Sequence, residues 1–296
     1  MPIDYIIGQL VNGLRLGSIY AIVAIGYSIV YGILKLINFA HGDIMTLGVY
    51  AMLIFMTMLG LPIWMVIILS MMISVCAGLL IERLAYRPLR SAAEETTLVS
   101  SLAVSTLLQN VLLMIFSAQK QAFLLPDYMT ELHTIGSIHL STMNIITFAS
   151  VAVSLVVLIL VIHKTRIGTA MRACSENLTA AKLMGININK VIVFAFAVGS
   201  ALACMAGFML AGEYKTVDPA MGFVPGLKAF CAAVLGGIGS LGGAVIGGLL
   251  IGVSEMLFAG LMPTTVTAYR DAFVFVVLIL VLLFKPTGIL GSRERA

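Results

Sequence analysis

Apolar runs of about twenty residues recur along this chain, separated by short polar punctuation, and each run is long enough to cross a hydrocarbon core as a helix. The first run covers roughly residues 6 to 34, with Asn12 and Arg15 inside and five glycines punctuating it: Gly8, Gly13, Gly17, Gly26 and Gly32. Small residues let helices approach closely in lipid, so the glycines predict a buried helix–helix interface. Arg15 is expected to snorkel to the membrane surface, the alternative being a polar interior. Further runs are expected from about Ile44 to Leu59, on to Leu80, from Thr97 to Phe116, from Ile145 to Ile162, from Val191 to Leu210, and up to Phe284. Gln109 and Asn110 inside the fourth run predict interhelical hydrogen bonds, with substrate contact as the rarer role. Backbone groups in lipid must pair within their own segment, so the runs are helices. The pattern predicts an all-α polytopic membrane protein with about eight transmembrane helices.

Two stretches break this pattern. Residues 36–43 place Asn38, His41 and Asp43 directly between two apolar runs. Asn38 or Asp43 would cap the second helix; alternatively, a broken helix lines a pathway near the membrane centre. Residues 226–243 contain Lys228 and then a glycine cluster beginning at Gly236 and Gly237. Two short apolar segments meet there, as two short crossing helices or as a re-entrant hairpin. Glu255 sits in the run that follows, and an ionisable group at that depth is a functional candidate.

A third exception is polar throughout. Residues 164–190 carry five cations (Lys164, Arg166, Arg172, Lys182, Lys190) against one anion, Glu176. Ile167, Met171, Cys174, Leu178 and Ala181 recur at helical spacing, which predicts one amphipathic helix ended by Gly185. It is either a solvated connector on the membrane surface or a docking segment. Residues 118–143 form the other long polar loop, expected as a short surface helix or a partner-facing lid.

Charge sets the orientation. The loop after the third run, the 164–190 stretch, Lys35 and the tail (Lys285, Arg293, Arg295) hold twelve of the seventeen lysines and arginines. That side is expected to be the cytoplasm, with the C-terminus inside and the N-terminus outside. With 61% hydrophobic and only 10% charged residues among 296, the net charge of +4 does not point to nucleic acid. The four cysteines lack CxxC spacing and read as packing residues. The chain has no GxxxxGK[ST], HExxH or GxSxG motif, so neither a nucleotide-hydrolysing site nor an enzyme is predicted, and no cofactor or metal.

Three motifs together resemble a known family. Ile37–Asp43, Lys228-Ala229-Phe230 with Leu235–Ser240, and Lys285-Pro286-Thr287-Gly288-Ile289-Leu290-Gly291 look like the branched-chain amino acid ABC permeases of the LivH type. Urea and amide permeases share much of this pattern. The resemblance implies a permease subunit importing leucine, isoleucine or valine across the bacterial inner membrane. It also implies a LivM-type permease partner, two cytosolic ABC ATPase subunits and a periplasmic binding protein. On that reading residues 1–296 are one permease domain, with a cytoplasmic coupling segment at 164–190 and an external loop at 118–143. Thr179-Ala180-Ala181 followed three residues later by Gly185 resembles the coupling motif of such importers, with Thr in place of its usual Glu. Arg166, Arg172, Glu176, Ala180, Ala181 and Gly185 are the expected ATPase contacts. Asn38, His41, Asp43, Lys228, Gly236, Gly237 and Glu255 are the expected pathway residues. A stand-alone secondary transporter is the competing class.

Overall fold

The computed structural model describes residues 3–90, 92–135, 138–285 and 287–291. Pro286, Arg293, Arg295 and the side chains of Glu94 and His139 lie outside the described set. Thirteen α-helices are described. Among the described residues, six segments are long and apolar enough to cross a membrane. They are α1 (Ile3–Leu34), α3 (Ile63–Ile81) with the π-helical turn Glu82–Tyr86, α4 (Glu94–Phe116), α6 (Thr142–Lys164), α9 (Ile188–Tyr214) and α11 (Leu241–Leu261). The chain is an all-α polytopic membrane protein. Three further helices are shorter: α2 (His41–Thr57), α10 (Phe223–Gly236) and α13 (Arg270–Phe284). The first two begin or lie in the stretches expected to be broken.

Helix α1 is the axis of the molecule. Residues 16–30 of it are buried throughout. Its main neighbour is α11, and the contact is made by two matching Gly-x-x-x-Gly steps, Gly13/Gly17 and Gly248/Gly252. A Cβ on Gly17 would lie 2.7 Å from the Leu249 Cα, and one on Gly248 would lie 2.6 Å from the Ala21 N. Such spacing brings two backbones together without intervening side chains. Gly8, by contrast, has nothing within 4 Å. Arg15 pairs with Glu213 at 2.6 Å and reaches Asn144 at 3.4 Å.

The 118–143 loop contains the two-residue strand β1 (Gln121–Ala122), the one-turn helix α5 (Asp127–Thr130), and a hairpin of β2 (Leu132–Ile135) with β3 (Ile138–Ser141). Strand β1 pairs antiparallel with β4 (Thr216–Val217), which ties the loop to the end of α9. Helices α7 (Arg166–Glu176) and α8 (Leu178–Leu183) form the basic segment, and α12 (Thr264–Thr267) is a single turn before α13. The cation-rich loops gather at one end. Leu34, Arg90, Lys182 and Asn189 line one cleft of about 650 Å³ there.

Candidate functional site

After α1 the chain turns back. Lys35 takes a left-handed φ of 56° and ends the helix. Residues 35–40 then return beside α1, so that the His41 ring lies against Gly26, where a Cβ would sit 2.6 Å from Nε2. Gly26 is eight residues, or about 12 Å, in from the end of α1. Helix α2 therefore begins at depth. Neither Asn38 nor Asp43 caps it. The N-cap is Ala40, and no side chain supplies a capping bond.

Each polar group of this break has a separate task. Asn38 Oδ1 accepts a 2.9 Å bond from the Tyr86 hydroxyl. Asp43 Oδ1 accepts a 3.0 Å bond from Gln109 Nε2, which also donates to Ser105 Oγ. Gln109 is thus the interhelical hydrogen bonder its position suggested. His41 packs on Tyr27 with ring centroids 4.7 Å apart. His41 Nε2 and Asp43 Oδ2 are buried without a hydrogen-bond partner among the described residues.

The second broken segment meets the first. Gly42 lies against the start of α10, where a Cβ on Gly226 would come 3.0 Å from the Gly42 Cα. The Gly222 N–H donates to Thr46 Oγ1 at 3.0 Å, and Phe230 edges onto Tyr27 and Phe39 at 5.9 and 6.0 Å. The expected pair of short segments around the glycine cluster is unequal. Helix α10 has 14 residues, whereas α11 has 21 and is full length. Between them Gly237 and Gly239 take φ of +106° and +88°, conformations that L side chains rarely adopt, and Ser240 caps α11.

Midway along α10 is an ionic cluster, buried at Lys228 and Glu255 and open at Arg270 and Asp271. Lys228 Nζ lies 2.6 Å from Glu255 Oε1 and 2.6 Å from Asp271 Oδ1. The Tyr20 hydroxyl donates to Glu255 Oε2 at 3.0 Å, and Arg270 Nε stands 3.8 Å from Glu255. Two cations face two anions, so the charges balance. Sequence reasoning singled out Lys228 and Glu255 but missed Tyr20, Arg270 and Asp271. The only signal for them was their being polar beside apolar runs.

At the far end of α10, Gly236 and Gly237 pack against the C-terminal motif. The Ile289 and Leu290 N–H groups donate to the Leu235 and Gly236 carbonyls at 2.8 and 2.9 Å. The three sequence motifs therefore all converge on α10. Its expected pathway residues fall in three neighbourhoods, ordered along that helix.

The basic segment is two helices. Asn177 interrupts it, accepting from the Ala180 N–H at 2.9 Å as the N-cap of α8. One amphipathic helix was expected; the side-chain competition of asparagine for backbone N–H groups makes it two. Gly185 does end the segment, with φ +83°, and the Gly185 and Ile186 N–H groups close back on the Lys182 and Ala181 carbonyls. Arg166, Arg172, Glu176, Ala180 and Gly185 are exposed. Ala181 is buried, so it faces the chain's own helices rather than outward. The outward tip is Leu183 and Met184, each 83% exposed. Arg172 and Met171 line a pocket of about 90 Å³ with Gly32 and Gly239, so α7 faces the α10–α11 turn across it. Burial raises the Cys174 thiol pKa above its ordinary value.

Residues 9–282 match the profile of a family described as the branched-chain amino acid transport system permease component. The chain is 42% identical to the high-affinity branched-chain amino acid transport system permease protein BraD of Pseudomonas aeruginosa, over 99% of both chains. It is 39% identical to the corresponding LivH protein of Escherichia coli, over 98% of this chain and 97% of that one. A ribose import permease of Haemophilus influenzae is 25% identical over 85% of this chain and 77% of that one. These relatives are transport permease subunits, and with them this chain belongs to the family of branched-chain amino acid transport system permease components.

Proposed function

We propose that this chain is one permease subunit of an ATP-driven importer carrying leucine, isoleucine and valine across the bacterial inner membrane. It works as a heterodimer with a LivM-type permease, with two cytosolic ABC ATPase subunits as motor and a periplasmic binding protein as donor. Residues 1–296 act as one permease domain, with 164–190 and the C-terminus cytoplasmic and 118–143 external. Beside the names of its relatives, the observation that carries this reading is the α7–α8 segment. A cation-rich pair of helices holds two large apolar side chains, Leu183 and Met184, away from the molecule. A motor lacking from this chain would grip there by inserting that tip into a groove.

The geometry supplies a route for the stroke. Force on α8 reaches α7, which packs on α1 and faces the α10–α11 turn at Gly239 across the small pocket between them. Helix α10 transmits it to the backbone contact between Gly42 and Gly222–Gly226. Separating these closely packed glycine backbones would open a passage at the start of both short helices. ATP binding and hydrolysis would shift the population between closed and open arrangements. His41, Asp43 and Asn38 flank that contact, and Lys228 with Glu255 follows one helical stretch away.

The test is reconstitution in proteoliposomes with and without the companion permease and the ATPases, following uptake of radiolabelled leucine with urea, amides and other amino acids as competitors. ATP-dependent leucine uptake requiring all subunits is expected. Uptake by this chain alone, driven by an ion gradient, would overturn the reading.

A further inference from the structure

Helix α13 is short for a span. Its 15 residues reach about 22 Å, whereas a hydrocarbon core is about 30 Å thick. With Phe284 at one boundary, Arg270 and Asp271 at the start of α13 lie about 8 Å inside the other. Their side chains are nonetheless 42% and 46% exposed. Ionisable groups at such depth face water or a partner rather than lipid. The start of α13 thus borders an aqueous depression, with the buried Lys228–Glu255 pair behind it.

The groups of this cluster are unequally bonded. Lys228 Nζ is saturated. It donates to Glu255 Oε1 and to Asp271 Oδ1 at 2.6 Å each, and to the Tyr20 hydroxyl at 3.4 Å, which uses all three ammonium N–H groups. Arg270 is open. Its Nε stands 3.8 Å from Glu255 and 3.7 Å from Asp271, beyond hydrogen-bond distance, and among the described residues its guanidinium makes no hydrogen bond. Arg15 and Arg90, by contrast, are held by Glu213 and by Glu82 with Asn189. Asp271 uses Oδ1 on Lys228, and among the described residues its Oδ2 has no partner. A guanidinium fork and a carboxylate oxygen therefore stand open side by side. Phe258 and Phe273, three residues beyond Glu255 and Arg270 and so on the same helix faces, stack at 4.3 Å next to them.

The geometry points to Arg270 and Asp271 as a binding site for the charged end of an amino acid, Arg270 taking the α-carboxylate and Asp271 the α-ammonium. The inference rests on the importer reading above and narrows it. A carboxylate meets a guanidinium fork with two parallel bonds, and an amino acid carries its ammonium one carbon away. The cluster already balances two cations with two anions, so a neutral zwitterion adds no net charge. A lone amine or acid adds one, at a depth where charge is costly. The site reads the zwitterion and not the side chain, and it takes neither urea nor simple amides, which lack both charges. Asp271 also holds Lys228, so a substrate ammonium on Asp271 competes with the contact joining α13 to α10. Arrival of substrate is thereby felt by the helix whose start packs on Gly42.

The test is modification by phenylglyoxal, an arginine reagent, of the full transporter in proteoliposomes, with the Arg270 peptide followed by mass. Arg270 should react. L-Leucine at tenfold excess over its half-protecting concentration should slow that reaction about tenfold, and L-alanine should also protect, whereas leucinamide, 4-methylpentanoate and urea should not. In Asp271→Asn, which loses the ammonium partner but should stay folded, 4-methylpentanoate should protect as well as leucine does; a merely structural Asp271 predicts no such change. Arg270→Gln should lower ATP-driven leucine uptake about tenfold, the loss of one charge-assisted contact, at an unchanged melting temperature. If ATP-driven leucine uptake persists while leucine gives no protection, urea protects equally, or Arg270 is unreactive in the assembled transporter, the site is overturned and the importer stands. An assembled transporter that takes up urea or a sugar with ATP but no leucine would sink the importer reading, and this site with it.

Discussion

Lys228 and Glu255 form an ion pair of 2.6 Å with both side chains buried, at 4% and 1% exposure. Asp271, 46% exposed, holds the same ammonium from the other side at 2.6 Å. The pair joins α10 to α11, and Asp271 joins both to α13.

Removing one member strands the other. Lys228→Met or Glu255→Leu should lower stability by about 3–5 kcal/mol, while the double variant recovers much of that loss, because a buried pair often trades evenly against apolar residues. Asp271→Asn should cost about 1 kcal/mol or less, since water screens that carboxylate. Thermal unfolding of the purified protein in detergent reads all four. A double-variant loss equal to the sum of the two single losses would contradict the pairing.

The glycine seam between α1 and α11 gives a second test. Gly17→Leu should cost about 1–3 kcal/mol, the range for overpacking a tight core, because a Cβ there meets the Leu249 backbone. Gly8→Leu meets nothing within 4 Å and should be neutral. Yield and melting temperature of the two variants separate them.

Residues of the basic segment should divide by direction. Met184→Glu leaves the fold unchanged and lowers ATP-driven uptake by about tenfold or more, equivalent to about 1.4 kcal/mol of lost docking. Ala181→Trp, at a buried position, should instead lower the melting temperature. ATPase co-purification alongside melting curves distinguishes the two. An unaltered ATPase complex with Met184→Glu would remove the tip from the grip.

Cys174 offers a pH-dependent measurement. Burial raises its pKa, so at neutral pH less of it is thiolate than in a free cysteine, and thiolate is the reactive form. Alkylation of Cys174 should be slow at pH 7, quicken as pH rises, and become fast on unfolding at either pH. Peptide mapping after timed maleimide treatment follows it. Rapid labelling of the folded protein at pH 7 would place Cys174 at the surface.

Much of this was legible along the chain. Hydrophobic length located five of the six long segments, because a backbone in lipid has only its own helix for hydrogen bonds, whereas α11 was expected as one of two short segments. Broken pattern at 36–43 and 226–243 marked the two short helices. Gly185 was readable as a helix end because glycine alone takes a left-handed turn freely. Asn177 was overlooked, although an asparagine before Leu178 is a recognised capping signal. The same stretch therefore reads as one helix when periodicity alone is followed.

What lies far apart in sequence was not legible. Asp43 finds Gln109, Arg15 finds Glu213, and Lys228 finds Glu255 and Asp271 only when helices have chosen neighbours. Ala181 turned inward for the same reason: helical period states that a face exists, not what covers it. Sequence by itself determined that this is a membrane-spanning helical protein, where most of its long spans lie, and the family it resembles, since those depend on local hydropathy and motif order. Only the tertiary structure decided which polar groups are paired and which faces remain open, because in lipid a polar side chain is defined by the partner it reaches.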